Sequence, residues 1–408
     1  MKLQSHQQDI VKKYAEAVNV GASVSIWNDQ YPAFEEMVLG LSNCQMLGSA
    51  DVLDLAIDHA VDLRQQLTKE AKENVTESAS IAVAARLAQQ LMSFLESLPR
   101  AYEMRISLPS FPAWGSTTYD LAPDIRIVCD NHVETSLGNR LAQLVNLPSG
   151  TEAKNYGAKL VFSMRGYASE TTGSATVGTG LGLAKLCAFL FLETDSVIMG
   201  RNTGLGKATV TVSDVLSGKQ SEVSIPEKFA FHLGSLKPNE EKLRVRDSST
   251  GQLAIPTSRY PASNLERIEA FTLLLKPSSN ALKRHRKSEY DFEQLAAAIE
   301  WHQDSVVAED QTIAYLAACI GLESIFGEKD MSEMSKRLED RYAFLLGNDR
   351  EDRKKLAQEY REVLRIRGQL VHARVKKLPP RDYKALETAR EMLRKTIAHE
   401  LTSFTRDD

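Results

Sequence analysis

Cysteine is scarce in this chain of 408 residues: Cys44, Cys129, Cys187 and Cys319 are far apart and form no Cys-x-x-Cys pair. That spacing excludes a dense disulfide framework and the usual ligand pattern of structural zinc. Reduced, mostly buried thiols are expected. No apolar run reaches membrane-spanning length; the longest, around Leu181 to Leu192, is interrupted by Lys185. The first residues, MKLQSHQQDIVKKY, contain no apolar core of a secretion signal. Internal repeats and low-complexity tracts are lacking too. The expectation is a cytoplasmic protein that does not engage a membrane.

What is present is an ordinary globular composition, 43% hydrophobic and 25% charged. The length suggests two or three domains. The formal net charge of -4 conceals an asymmetry. Residues Met331 to Asp408 carry 19 Lys+Arg against 14 Asp+Glu, a net of +5, which leaves −9 on the remainder. A basic module on an acidic body is compatible with a nucleic-acid-handling end.

The front of the chain reads as helical, with apolar spacings of three and four in Val52–Leu67 and Ile81–Leu98, the latter stopped by Pro99. Strict alternation from Tyr102 to Leu108 predicts a strand, and Ile125–Val128 a shorter one. A Gly/Ser/Thr-rich stretch, Tyr167–Thr179, precedes a helix expected from about Leu181 to Glu193. The chain is then β-rich to about Pro256, with strand character at Ala208–Val212, Glu222–Ile225 and Lys242–Arg246. Ser278–Arg286 reads as a polar, basic linker. After Tyr290 only helix is expected, interrupted near Gly327–Asp330, Gly347–Asn348 and Pro379–Pro380. The expected organisation is an α+β regulatory region over residues 1–285 and an all-α bundle over 286–408.

In the last part, Arg367 stands five residues before His372 within an apolar-periodic run. Arginine can clamp a phosphate with parallel hydrogen bonds, and histidine is the side chain most easily poised to move a proton at neutral pH. Internal RNA cleavage can use the ribose 2′-hydroxyl as nucleophile. It then needs a base, an acid for the leaving 5′-oxygen and positive charge on the phosphorane. On an ideal helix the two residues diverge by roughly 140°, whereas Arg365 shares the face of His372.

The segments Ala298–His302, Ala317–Phe326, Ser332–Leu338, Phe344–Gly347 and Tyr360–His372 follow one another as in the Apea-like branch of the HEPN superfamily, which residues 290–402 resemble. The resemblance implies an all-helical, metal-independent endoribonuclease that leaves a 2′,3′-cyclic phosphate. It also implies a homodimer whose motifs face each other across a two-fold axis. His372 would be the general acid/base, Arg367 would hold the scissile phosphate, and Glu323 would orient one of them. Arg365 and Arg374 are further RNA-contact candidates, with solvated helix charges as the alternative. Gly368 stands where that family usually has a small polar residue, and Ala373 where it often has glycine.

A second constellation is Val177-Gly178-Thr179-Gly180-Leu181-Gly182-Leu183-Ala184. Glycines before a helix let backbone N–H groups approach phosphate. The segment resembles the second glycine box of histidine-kinase/Hsp90-like ATPases, which implies an α/β sandwich binding ATP with Mg, Tyr167–Thr176 serving as lid. The matching aspartate is missing from Asn146–Glu152, and the helix at Ile81–Leu98 offers Gln89 and Gln90 but no asparagine. The bland alternative is a tight loop with glycines used for packing.

The expectation is therefore a HEPN-type endoribonuclease that needs no cofactor, acting in antiviral defence or as a toxin, controlled by the front region and set off by a viral or cellular trigger protein. The alternatives are an inert RNA- or protein-binding dimerisation module, and an ATP-binding regulator.

Overall fold

The computed structural model describes residues 2–21, 23–44, 47–71, 81–111, 117–129, 158–169, 174–200, 207–239, 242, 264–285, 292–326, 334–372 and 377–403. Arg374, the Asn146–Glu152 region and nearly all of the expected strand Lys242–Arg246 lie outside them. The chain divides into two compact units. One comprises Met1–Ile106, Val161–Leu181 and Thr209–Ile225; the other comprises Ser107–Leu160, Gly182–Ala208 and Pro226–Asp408.

In the first unit, helices α1 (Ser5–Ala17), α2 (Tyr31–Leu39), α3 (Ser49–Ala71) and α4 (Ile81–Ser97) enclose an apolar core. The α4 pattern explains its burial: Ala84, Leu87, Ala88, Leu91 and Leu95 recur every three or four residues and all turn inward. Tyr14 of α1 stacks on Phe34 of α2 with centroids 4.3 Å apart. The short strands β1 (Asn19–Val20) and β2 (Val24–Ser25) pair between α1 and α2.

The larger strands are β3 (Arg100–Leu108), β4 (Thr117–Ala122), β5 (Ile125–Cys129), β6 (Ala158–Gly166), β8 (Val210–Asp214) and β9 (Gln220–Val223), with a short β7 (Val197–Met199) before β8. The six form one sheet in the order β4-β5-β6-β3-β8-β9. Antiparallel registers set Met104 opposite Val212, Val212 opposite Ser221 and Tyr119 opposite Ile127. Along β3, Tyr102, Met104 and Ile106 are buried while Arg105 faces out, the alternation that marked this strand in the sequence. β4 is a strand the sequence pattern did not announce.

Helix α5 spans Ala175–Glu193, beginning six residues before the expected Leu181. It is the one described helix long and apolar enough to cross a membrane, yet 61% of its apolar window is buried inside the protein. Lys185, which interrupts the apolar run, pairs with Asp304 at 2.9 Å.

In the second unit, α6 (Glu227–Gly234) leads into β10 (Leu236–Pro238), which pairs with β7. Helices α7 (Asn264–His285), α8 (Phe292–Val307), α9 (Gln311–Phe326), α10 (Met334–Leu346), α11 (Arg350–Val371) and α12 (Tyr383–Ser403) complete it. The linker expected over Ser278–Arg286 is corrected up to His285: those residues are the last turns of α7. Its serines are polar but buried, because their hydroxyls find partners. Ser279 donates to the Leu121 carbonyl at 2.6 Å, and Ser278 bonds the Thr194 hydroxyl at 3.0 Å. The α+β front and helical end are thus observed as coarse architecture.

Gly321 of α9 marks a close helix contact in the bundle. A Cβ there would stand 2.5 Å from a methyl of buried Leu393 and 3.2 Å from the Trp301 Cβ. Gly321→Val is therefore expected to lower stability by about 1–3 kcal/mol through overpacking. The check is a lower denaturant midpoint at unchanged m-value.

Candidate active site

α11 begins under a well-formed cap. The Asp349 carboxylate accepts the N–H groups of Glu351 at 2.9 Å and Asp352 at 2.8 Å. Tyr360, Val363 and Ile366 bury one face. The Tyr315 hydroxyl donates to the Val363 carbonyl at 2.7 Å and fastens α9 to α11. That attachment brings Glu323 of α9 to Arg367 of α11.

The two side chains form a fork. Arg367 Nε lies 3.1 Å from Glu323 Oε1, and Nη2 donates to Oε2, also at 3.1 Å. The pair is largely sheltered, with 30% exposure for the arginine side chain and 16% for the glutamate. Burial pushes the Glu323 carboxyl above its ordinary value, and the adjacent guanidinium opposes that rise. A guanidinium carries five N–H donors, so the fork leaves three for another acceptor.

α11 stops at Val371, and His372 is its exposed C-cap, its backbone N–H bonded to the Gly368 carbonyl at 3.1 Å. Its φ of −85° and its N–H bond remain helix-like, while ψ of 18° turns only the chain that follows. Its Cβ therefore leaves in the helical direction, and the divergence of roughly 140° from Arg367 stands at the level of the Cβ atoms. Among the described residues, no group hydrogen-bonds that imidazole.

Arg365 is exposed and forms its own fork with Glu362 at 2.8 and 2.6 Å. Such surface pairs contribute little to stability and can open toward phosphate. A Cβ on Gly368 would meet nothing within 4 Å. Gly368→Ser is expected to fold at least as well as the parent, gaining a few tenths of a kcal/mol from helix propensity; thermal unfolding checks this. All four cysteines are free and buried. Burial pushes the Cys44 thiol up to about 11 and Cys319 to about 12, so neither is a nucleophile at neutral pH.

The glycine constellation is helical throughout, correcting the expected loop before Leu181. The Gly178 N–H bonds the Ser174 carbonyl at 2.8 Å, and the Thr179 hydroxyl bonds Ala175 at 2.9 Å. Packing explains two of the glycines. A Cβ on Gly180 would lie 2.7 Å from the sulfurs of Met104 and Met164, and one on Gly182 would lie 2.9 Å from Glu300 Oε1. Leu181, between them, is half-buried. The Ala175 N–H at the start of α5 is taken by the buried Asp51 carboxylate at 3.0 Å, whose other oxygen accepts the Gly48 N–H at 2.9 Å. An anion therefore already sits at this helix N-terminus.

Asp51 escaped the sequence reading. Its signal was legible: Asp51, Asp54, Asp58 and Asp62 recur along α3 at helical spacing. Among the described residues no group of three or more His, Cys, Asp and Glu could hold a metal ion. No protein-family model, curated protein or solved structure matches the chain.

Proposed function

We propose that the helical end of this protein is a HEPN-type endoribonuclease that cuts RNA without a metal, working as a homodimer. One observation carries the reading: α11 ends at His372, whose imidazole is exposed, while Arg367 one turn before it is held in a fork by Glu323. A single chain offers one imidazole, but cleavage needs both a base and an acid. Two copies about a two-fold axis supply both. One His372 takes the 2′-hydroxyl proton as that oxygen attacks phosphorus. The other gives a proton to the departing 5′-oxygen, leaving a 2′,3′-cyclic phosphate. The free N–H groups of Arg367 meet the charge that develops on the phosphorane. Arg365 would bind flanking phosphate once its fork with Glu362 opens. Residues 1–285 would serve as the regulatory part, answering to a viral or cellular trigger protein.

The test is incubation of the purified chain with single-stranded RNA in excess EDTA. Cleavage with cyclic phosphate ends is expected; intact RNA, or cleavage restored only by added metal, would overturn the reading.

An inert RNA- or protein-binding dimerisation module is the second reading, favoured by the Glu323 carboxylate that offsets the charge of Arg367. RNA retardation without cleavage, unchanged by His372→Ala, would support it. The ATP-binding regulator has less behind it, since a phosphate at the start of α5 would face the Asp51 carboxylate. Protection from thermal unfolding by ATP with Mg would revive it.

A further inference from the structure

In its fork, Arg367 keeps three N–H groups, but a carboxylate 3.1 Å away offsets its charge. The guanidinium is turned toward Glu323 of α9, whereas the Cβ of His372 leaves α11 roughly 140° round the helix. Sharing one phosphate with that imidazole asks Arg367 to swing off Glu323.

The swing leaves Glu323 behind in a sheltered place, where a carboxylate without a partner is costly. A donor stands ready for it. Tyr360 lies seven residues before Arg367, on the same stripe of α11. It is fully buried, and its ring packs against Phe326, three residues after Glu323, with centroids 6.3 Å apart. The Tyr360 hydroxyl has no hydrogen-bond partner among the described residues. Burial first, then the charge of Glu323, pushes that hydroxyl above its ordinary value, so it stays protonated in the field of the carboxylate. A buried hydroxyl without an acceptor is itself costly. It gains one if Glu323 turns toward it.

We propose that Glu323 is a two-position switch: it holds Arg367 while the groove is empty and turns to the Tyr360 hydroxyl when Arg367 takes an RNA phosphate. Tyr360 is then a positioning residue that never touches RNA. The inference rests on the role proposed above for Arg367 toward phosphate. The exchange of partners belongs to binding, so it can be measured apart from cleavage.

The experiment measures binding of a short single-stranded RNA with 2′-O-methyl riboses, which 2′-hydroxyl attack cannot cut. Glu323→Gln should bind about tenfold tighter, the yield of one freed charge-assisted contact, with a salt slope steeper by about 0.7. In an Arg367→Gln background the same change should do nothing. Tyr360→Phe should keep its thermal stability, since the lost hydroxyl has no partner among the described residues, yet weaken binding several-fold. That loss should vanish when Glu323→Gln is also present. The proposal is overturned if Glu323→Gln binds no tighter than wild type, or if it gains as much without Arg367. It is equally overturned if Tyr360→Phe binds like wild type, or loses binding alike in both backgrounds, as a merely structural defect would. Unmodified RNA in EDTA separates this proposal from the nuclease reading. Tighter binding by Glu323→Gln with no cleavage by any form would sink the nuclease and leave the switch standing; cleavage by wild type with binding unchanged in Glu323→Gln would sink the switch alone.

Discussion

His372→Ala should reduce RNA cleavage about 10²–10⁴-fold, the usual contribution of a positioned proton-transfer group. Stability should be unchanged within about 0.5 kcal/mol, as for surface substitutions generally. The separation of the two effects comes from position. His372 is the exposed cap of α11, and its backbone N–H bond to Gly368 survives the change. On the proposed two-fold arrangement each product would need an acid from one copy and a base from the other, so excess His372→Ala chain should inhibit wild type by forming mixed dimers. Single-turnover cleavage in EDTA, read beside a denaturation curve, measures both quantities. Equal cleavage by wild type and variant would sink the nuclease reading, whereas loss of cleavage with loss of folding would remove the positional argument.

Acid should destabilise the second unit well before its carboxylates titrate. His232 and His302 are 7% and 9% exposed, and burial holds both down to about 4. His232 Nε2 and His302 Nδ1 have no hydrogen-bond partner among the described residues, so no acceptor stabilises a protonated form there. In the unfolded chain each imidazole binds a proton near pH 6.5. A depressed histidine thus leaves stability intact above pH 6.5. Stability is lost as pH falls toward 4, because the unfolded state takes up the proton first. Between pH 7 and pH 5 the expected loss is about 2 kcal/mol per histidine. Urea midpoints across that interval should fall accordingly, and His302→Leu should flatten the slope. A midpoint independent of pH over this range would show that neither imidazole is held neutral.

Periodicity revealed the elements whose faces are cleanly divided. α4 and β3 were readable because each buries one side and wets the other. Reading failed where polar residues are buried or small residues mark contact. Ser278 and Ser279 looked like linker because nothing local shows that their hydroxyls will meet Thr194 and Leu121. The α5 glycines looked like a phosphate loop because Met104 and Met164, the side chains they make room for, come from distant strands. At the candidate site, Arg367 and His372 were visible as a pair and Glu323 through its segment. The Glu323 fork is a tertiary fact, made by two helices that are distant in sequence. No glycine or proline follows Val371 until Pro379, so no local signal ends α11 where it ends.

Gly368 has a consequence for how such a protein can evolve. Most positions beside a reactive pair are hemmed in, so altering chemistry there also taxes the fold. Gly368 faces open space one residue from Arg367. Side chains of many sizes can be sampled at that position with folding left nearly neutral. On the nuclease reading proposed above, catalytic strength could therefore drift, be damped or be restored by single substitutions, an advantage for any lineage that must keep a self-damaging activity in check.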